Sequence, residues 1–206
     1  MNSRKIKDKL EYIVLHHSCI PVRYSDDTHL TILQKEVQSL YPAYDFGGLY
    51  HYVILPSGKV YNLVPAGIYA PHCGLNSGEW RITNDNSISI CVSADLSKET
   101  MTNEQWEALL NEVKYQSKKH NLQIVRHKDV VATDCPGKNF PYNRLIQEVK
   151  MPKLYKDVDE SRWSYPAIEY VTRAGIMAGD EKGFRPTEPC TREELAQVIL
   201  NLQKRD

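Results

Sequence analysis

The chain has 206 residues, 41% apolar and 25% charged, ordinary for globular protein and enough for one medium domain plus a small one. Its 26 basic and 26 acidic side chains cancel, so bulk charge offers nothing to nucleic acid or to an anionic membrane, and no nucleic-acid partner is expected. No apolar run reaches the ~18 residues that cross a bilayer, and the basic first ten residues lead into no signal-like stretch.

In chain order, residues 12–16 are β-branched and apolar and predict a buried strand with a functional tip. A polar segment at 23–28 offers N-caps for a helix over 30–40, with Leu30, Leu33, Val37 and Leu40 on one face. An aromatic and glycine-rich loop at 41–48 leads to a second strand over 49–55. Pro-Ser-Gly-Lys then turns the chain into a third strand over 60–64. Residues 65–81 read as irregular, and 86–92 alternate polar with apolar as a fourth strand. Thr102 and Gln105 form a capping-box pattern, opening a helix to about residue 120 with Trp106, Leu109, Leu110 and Val113 inward. A short strand over 122–126 delivers His127. A closing helix over 140–149 carries Leu145, Ile146 and Val149 on one side. Strands interleaved with helices predict an α/β fold, a mixed central sheet flanked by helices, across residues 1–150.

At 150–153 the composition shifts to a charged, proline-containing linker. Residues 151–206 then read as a small helical domain. One helix is expected over 163–172, with Ala167, Ile168 and Val171 as its stripe and Gly175 as its C-cap. A second capping box, Thr191 to Glu194, opens another with Leu195, Val198 and Ile199 inward. A helical pair of this size is marginal alone.

The chemistry concentrates in His127-Lys-Asp-Val-Val-Ala-Thr133-Asp-Cys135-Pro-Gly137. Histidine and thiolate both bind zinc, and His16 or His17 could complete a set of three. Three protein ligands with a fourth position for water describe a catalytic zinc rather than a structural one. The plain alternative is two core histidines and a small buried cysteine. Five widely spaced cysteines, an odd number, read as reduced thiols rather than a disulfide framework.

The blocks around His16, Tyr50, His72, Asn86 and His127 to Gly137 follow the order of a known family. Residues 10–150 resemble the zinc-dependent N-acetylmuramoyl-L-alanine amidases of the phage lysozyme and peptidoglycan recognition protein type. The resemblance implies Zn2+ held by His16, His127 and Cys135, with Tyr50 and Thr133 in catalysis and His72 lining the substrate cleft. His17 becomes a packed neighbour, because adjacent strand residues face opposite ways. Tyr41, Tyr44, Tyr69, Asn76, Trp80 and Arg81 suit a sugar-peptide ligand. His29, His51 and His120 read as structural or exposed.

The segment from Tyr155 to Glu194 resembles one S-layer homology repeat. That implies binding to secondary cell-wall polysaccharide, with Arg192 as the anion contact. Such repeats usually come in threes, so homo-oligomerisation follows as an expectation. The whole then reads as a peptidoglycan hydrolase, a phage or prophage endolysin made in the cytosol and acting on the wall after release. A non-catalytic peptidoglycan-binding module, a host autolysin and a muropeptide-recycling amidase stand as alternatives.

Overall fold

The computed structural model describes residues 4–42, 48–73, 81–150, 155–159 and 161–203. The chain divides into two compact units, Met1–Lys150 and Met151–Asp206. Of the expected linker, residues 151–153 lie outside the described residues.

The first unit is built on a five-stranded sheet in the order β3-β2-β4-β1-β5. Its strands are β1 (Tyr12–His17), β2 (Tyr52–Ile54), β3 (Val60–Asn62), β4 (Ser87–Val92) and β5 (Gln123–Arg126). β1 is central, parallel to β4 on one side and to β5 on the other. β2 continues the parallel order beyond β4, and β3 closes the edge as the antiparallel arm of a hairpin. Every residue of β1 and β4 is buried, as parallel strands covered on both faces require.

The two sheet faces bury different sets. Ile13, Leu15, Ile54, Ile88 and Ile90 pack with Trp106, Leu109, Leu110 and Val113 of α2 (Asn103–His120) and Leu145 of α3 (Tyr142–Lys150). Val53, Leu55 and Cys91 pack on the other side with Leu33 of α1 (Asp26–Leu40). The α2 capping box forms as expected, Thr102 Oγ1 accepting from Gln105 N–H and Gln105 Oε1 from Thr102 N–H.

The largest shifts are in α1 and β2. α1 starts at Asp26 rather than Leu30, because Ser25 caps it by accepting from Thr28 N–H and two aspartates fill its first turn. Its buried residues are His29, Leu33 and Val37, while Leu40 turns out to solvent. β2 is three residues rather than seven. Before it, the His51 carbonyl accepts from both Leu63 and Val64, and the His51 N–H turns to Ser89 Oγ, so the ladder is broken there.

The second unit holds α4 (Tyr165–Arg173) and α5 (Arg192–Gln203). α4 ends as expected at Gly175, in the left-handed region, where Ile176 N–H returns to Val171 O and Gly175 N–H to Thr172 O. Tyr155, Val158, Tyr165, Ile168 and Phe184 form a small core. Asp157 ties the loop to it by accepting from the N–H groups of Phe184 and Arg185. In α4 the stripe is Tyr165, Ile168 and Glu169; Ala167 is exposed and Val171 only half-buried. The α5 capping box forms between Thr191 and Glu194. Its expected inward face does not. Leu195 and Ile199 are 53% and 50% exposed, and only Val198 turns toward the cleft beside the 176–190 loop. Among the described residues of this unit, no third helix is present to lie over α5.

Candidate metal centre

His16 is the penultimate residue of β1, level with Cys91 on β4, and it is 1% exposed. His127 follows β5 directly and opens a 3-10 turn, whose start is fixed by Asp129 accepting from the Arg126 N–H and guanidinium. The loop then folds back on itself. Lys128 N–H donates to the Cys135 carbonyl at 2.9 Å, which sets Cys135 beside His127. The Cys135–Pro136 peptide bond is cis. Gly137 adopts φ +92°, and a Cβ there would stand 2.5 Å from the Leu96 backbone, so the turn needs glycine.

One ligand atom from each of His16, His127 and Cys135 lies within 4.8 Å of the others. His16 Nδ1 is 3.8 Å from Cys135 Sγ, and the His16 and His127 ring centroids are 4.4 Å apart. In a tetrahedron with bonds of ~2.0 Å to nitrogen and ~2.3 Å to sulfur the edges are about 3.3 Å between nitrogens and about 3.5 Å from nitrogen to sulfur, so a small inward movement would close this trio on an ion. The trio fits a zinc ion on a second ground as well. His127 Nε2 is buried with no hydrogen-bond partner among the described residues, an orphan that a metal bond would satisfy. Burial holds His127 neutral, its pKa lowered to about 4, and pushes the Cys135 thiol up to about 12 against the pull of the His17 backbone N–H.

His17 faces the other way, as the alternation of a strand requires. Its Nδ1 accepts from Leu96 N–H, and its Nε2 lies 3.3 Å from Cys19 Sγ. His17, Cys19 and Asp95 also sit within metal-binding range of one another. A neutral ring that accepts at Nδ1 must carry its proton on Nε2, so this ring has no lone pair left to turn on a metal.

Tyr50 lies before β2 with its ring 5.1 Å from His16. Its hydroxyl is a neighbour of the Cys91 thiol, and burial raises its pKa well above the ordinary phenol value. Thr133 is exposed, and its Oγ1 accepts from Cys135 N–H at 3.3 Å, which leaves its own proton to donate. His72 is 4% exposed, with its Nδ1 3.2 Å from His16 Nε2.

Tyr69 is drawn into the structure under Arg4 and accepts from Asn84. Tyr44, Asn76 and Trp80 lie outside the described residues. His29 and His51 are buried; His51 accepts at Nδ1 from Ser89 N–H and donates from Nε2 to the Ile68 carbonyl. In the second unit Arg192 is exposed on the first turn of α5. The neighbouring cleft of about 380 Å³ holds Arg185, paired with Asp180, Glu188 and Glu194.

Sequence reading missed Ser87 and Ser89. Their signal was present: two serines at alternate positions of a strand whose other residues are wholly apolar. In a strand buried on both faces, such hydroxyls must anchor something.

Fold and site define a class, an α/β domain that presents two histidines and a cysteine at the ends of parallel strands. A family model for N-acetylmuramoyl-L-alanine amidase matches residues 6–138, and a model for the S-layer homology domain matches residues 154–196. The chain belongs to the N-acetylmuramoyl-L-alanine amidase family.

Solved structures share the fold. The amidase LysC from Clostridium intestinale URNW is 23% identical with a TM-score of 0.54, over 74% of this chain and 96% of that one. The Ph2119 endolysin from Thermus scotoductus MAT2119 bacteriophage Ph2119 is 23% identical with a TM-score of 0.56, over 71% and 89%. Drosophila peptidoglycan recognition protein SD is 23% identical with a TM-score of 0.57, over 74% and 86%. Among curated proteins, endo-1,4-beta-xylanase A of Thermoanaerobacterium saccharolyticum is 40% identical over 52 residues, 25% of this chain but only 4% of that protein.

Proposed function

We propose that this protein hydrolyses the amide bond between the lactyl group of N-acetylmuramic acid and the L-alanine of the stem peptide in bacterial peptidoglycan. The observation that carries the reading is the convergence of His16, His127 and Cys135, with His127 Nε2 buried and unpartnered among the described residues. Bound zinc would supply a hydroxide near neutral pH and a Lewis acid. Around it the chain's own groups have separate work. Tyr50, kept neutral by burial, serves as a hydrogen-bond donor to the developing oxyanion rather than as a base. The Thr133 hydroxyl, held by Cys135 N–H, donates from the other side of the loop.

The second unit is read as a wall anchor, with Arg192 offering a guanidinium to an acidic wall polysaccharide. A phage or prophage origin, with synthesis in the cytosol, belongs to the same proposal; the endolysin among the structures of like fold supports it. Self-association through the second unit belongs to the same proposal, with the exposed Leu195, Ile199 and Leu202 of α5 as the surface it would use.

The test is digestion of purified Gram-positive walls, with and without a chelator, and mass analysis of the products. Stem peptides beginning at L-alanine, lost with chelator and restored by Zn2+, are the expected result. Walls that bind the protein yet stay intact would leave the alternative of a binding module.

A further inference from the structure

One hydrogen-bond chain behind the metal centre has a fixed direction, set by its far end. The Thr83 carbonyl can only accept, and the Ser87 hydroxyl donates to it. With its proton committed, Ser87 Oγ can only accept from His72 Nε2, 3.3 Å away. The proton of neutral His72 is therefore on Nε2, and its Nδ1 is a lone pair. Two groups aim at that lone pair: His16 Nε2 at 3.2 Å and the Cys73 thiol at 3.1 Å, a thiol that burial keeps protonated. The Cys73 thiol can share that lone pair, but an unprotonated His16 Nε2 would set a second lone pair against it at 3.2 Å, so the geometry favours the proton of His16 on Nε2. The edge-on meeting of the rings, 86° between planes, suits an in-plane N–H···N bond.

The remaining lone pair of His16 is on Nδ1, the nitrogen that faces Cys135 Sγ. In water a neutral histidine side chain populates both tautomers, with Nε2–H the commoner, and this chain removes the minor one. We propose that His72 is a positioning residue for the metal centre: anchored through Ser87 to Thr83, it holds His16 in the Nε2–H tautomer, so that Nδ1 is presented to the ion. Outer partners of this kind typically change metal affinity by ~10–100-fold. The consequence for zinc rests on the function proposed above; the tautomer itself does not.

The experiment uses the full chain in three variants. His72→Phe removes the acceptor, His72→Gln keeps an acceptor toward His16 and a donor toward Ser87, and Ser87→Ala frees the far end. Each is followed by Zn2+ affinity in chelator competition and, without metal, by the ring 15N shifts of His16, with circular dichroism to verify folding.

His72→Phe is expected to weaken Zn2+ binding by ~10–100-fold and to give His16 mixed tautomer shifts. His72→Gln should recover most of the affinity and the Nε2–H shift, and Ser87→Ala should fall between. Wild-type affinity with an unchanged tautomer in folded His72→Phe would overturn the proposal. So would a Gln variant no better than Phe, which would mean that His72 acts by packing alone. If His72→Phe does not fold, Ser87→Ala decides by the same two readouts. A wild type that binds no Zn2+ but shows the Nε2–H tautomer would sink the zinc reading while leaving the hydrogen-bond chain intact.

Discussion

At the residue scale, the protonation of the site makes a prediction with a definite sign. His16 and His127 are held neutral by burial, while the Cys135 thiol stays protonated until about pH 12. Binding of Zn2+ must therefore displace one proton, from Cys135, and none from the histidines. Affinity should rise ~10-fold per pH unit between about pH 5 and about pH 9, measured by competition with a chelator of known pH dependence. A flat profile would mean that the thiol is already ionised. Tyr50→Phe should cut the rate of amide cleavage by ~10²–10³ while leaving Zn2+ affinity unchanged, which separates a donor from a structural ring. That His16, His127 and Cys135 converge was legible because histidine and cysteine at strand ends and in a Pro-Gly loop are the residue types that a metal would need. His72 was not legible in its present role. Its meaning depends on Ser87 and Thr83, and sequence spacing cannot tell a ring behind a ligand from one in front of it.

At the element scale, strand and helix identities followed from periodicity, and the errors fell at ends. α1 began four residues early because a serine cap and two aspartates outweigh the apolar pattern. β2 was cut short because His51 spends its backbone groups on Ser89, Leu63 and Val64. Thr102→Ala removes the α2 cap and should lower stability by about 0.5–2 kcal/mol in thermal or denaturant unfolding. The N-terminal segment is fastened by Arg4 to Asp85, next to the turn that enters β4. Arg4 holds the Asp85 carboxyl below its usual range. A depressed carboxylate stabilises the fold above its unfolded pKa of about 3.9, and that contribution is lost as pH falls through the folded value. Asp85→Asn should thus melt lower than wild type at pH 7, by a small margin for so open a pair, with the difference closing as pH falls through the depressed folded value.

At the scale of the whole molecule, the two units differ in how much they bury. The first has a sheet covered on both faces; the second leaves Leu195, Ile199, Leu200 and Leu202 of α5 largely open. The capping box of α5 was readable from four residues, but its inward face was not, since amphipathic spacing names a face without supplying the surface that meets it. If copies pair through α5, light scattering at high concentration should report more than a monomer, and Leu195→Ser with Ile199→Ser should restore one. A monomer throughout would remove self-association. The metal trio carries a different consequence, for biosynthesis. One ligand sits on the first strand and the other two follow the last strand of the unit. They can meet only after β5 has paired with β1, when nearly the whole unit has left the ribosome. An ion held by all three would therefore be captured late in folding, and a chain made in zinc-poor medium and activated afterwards by added Zn2+ would show that the fold forms without it.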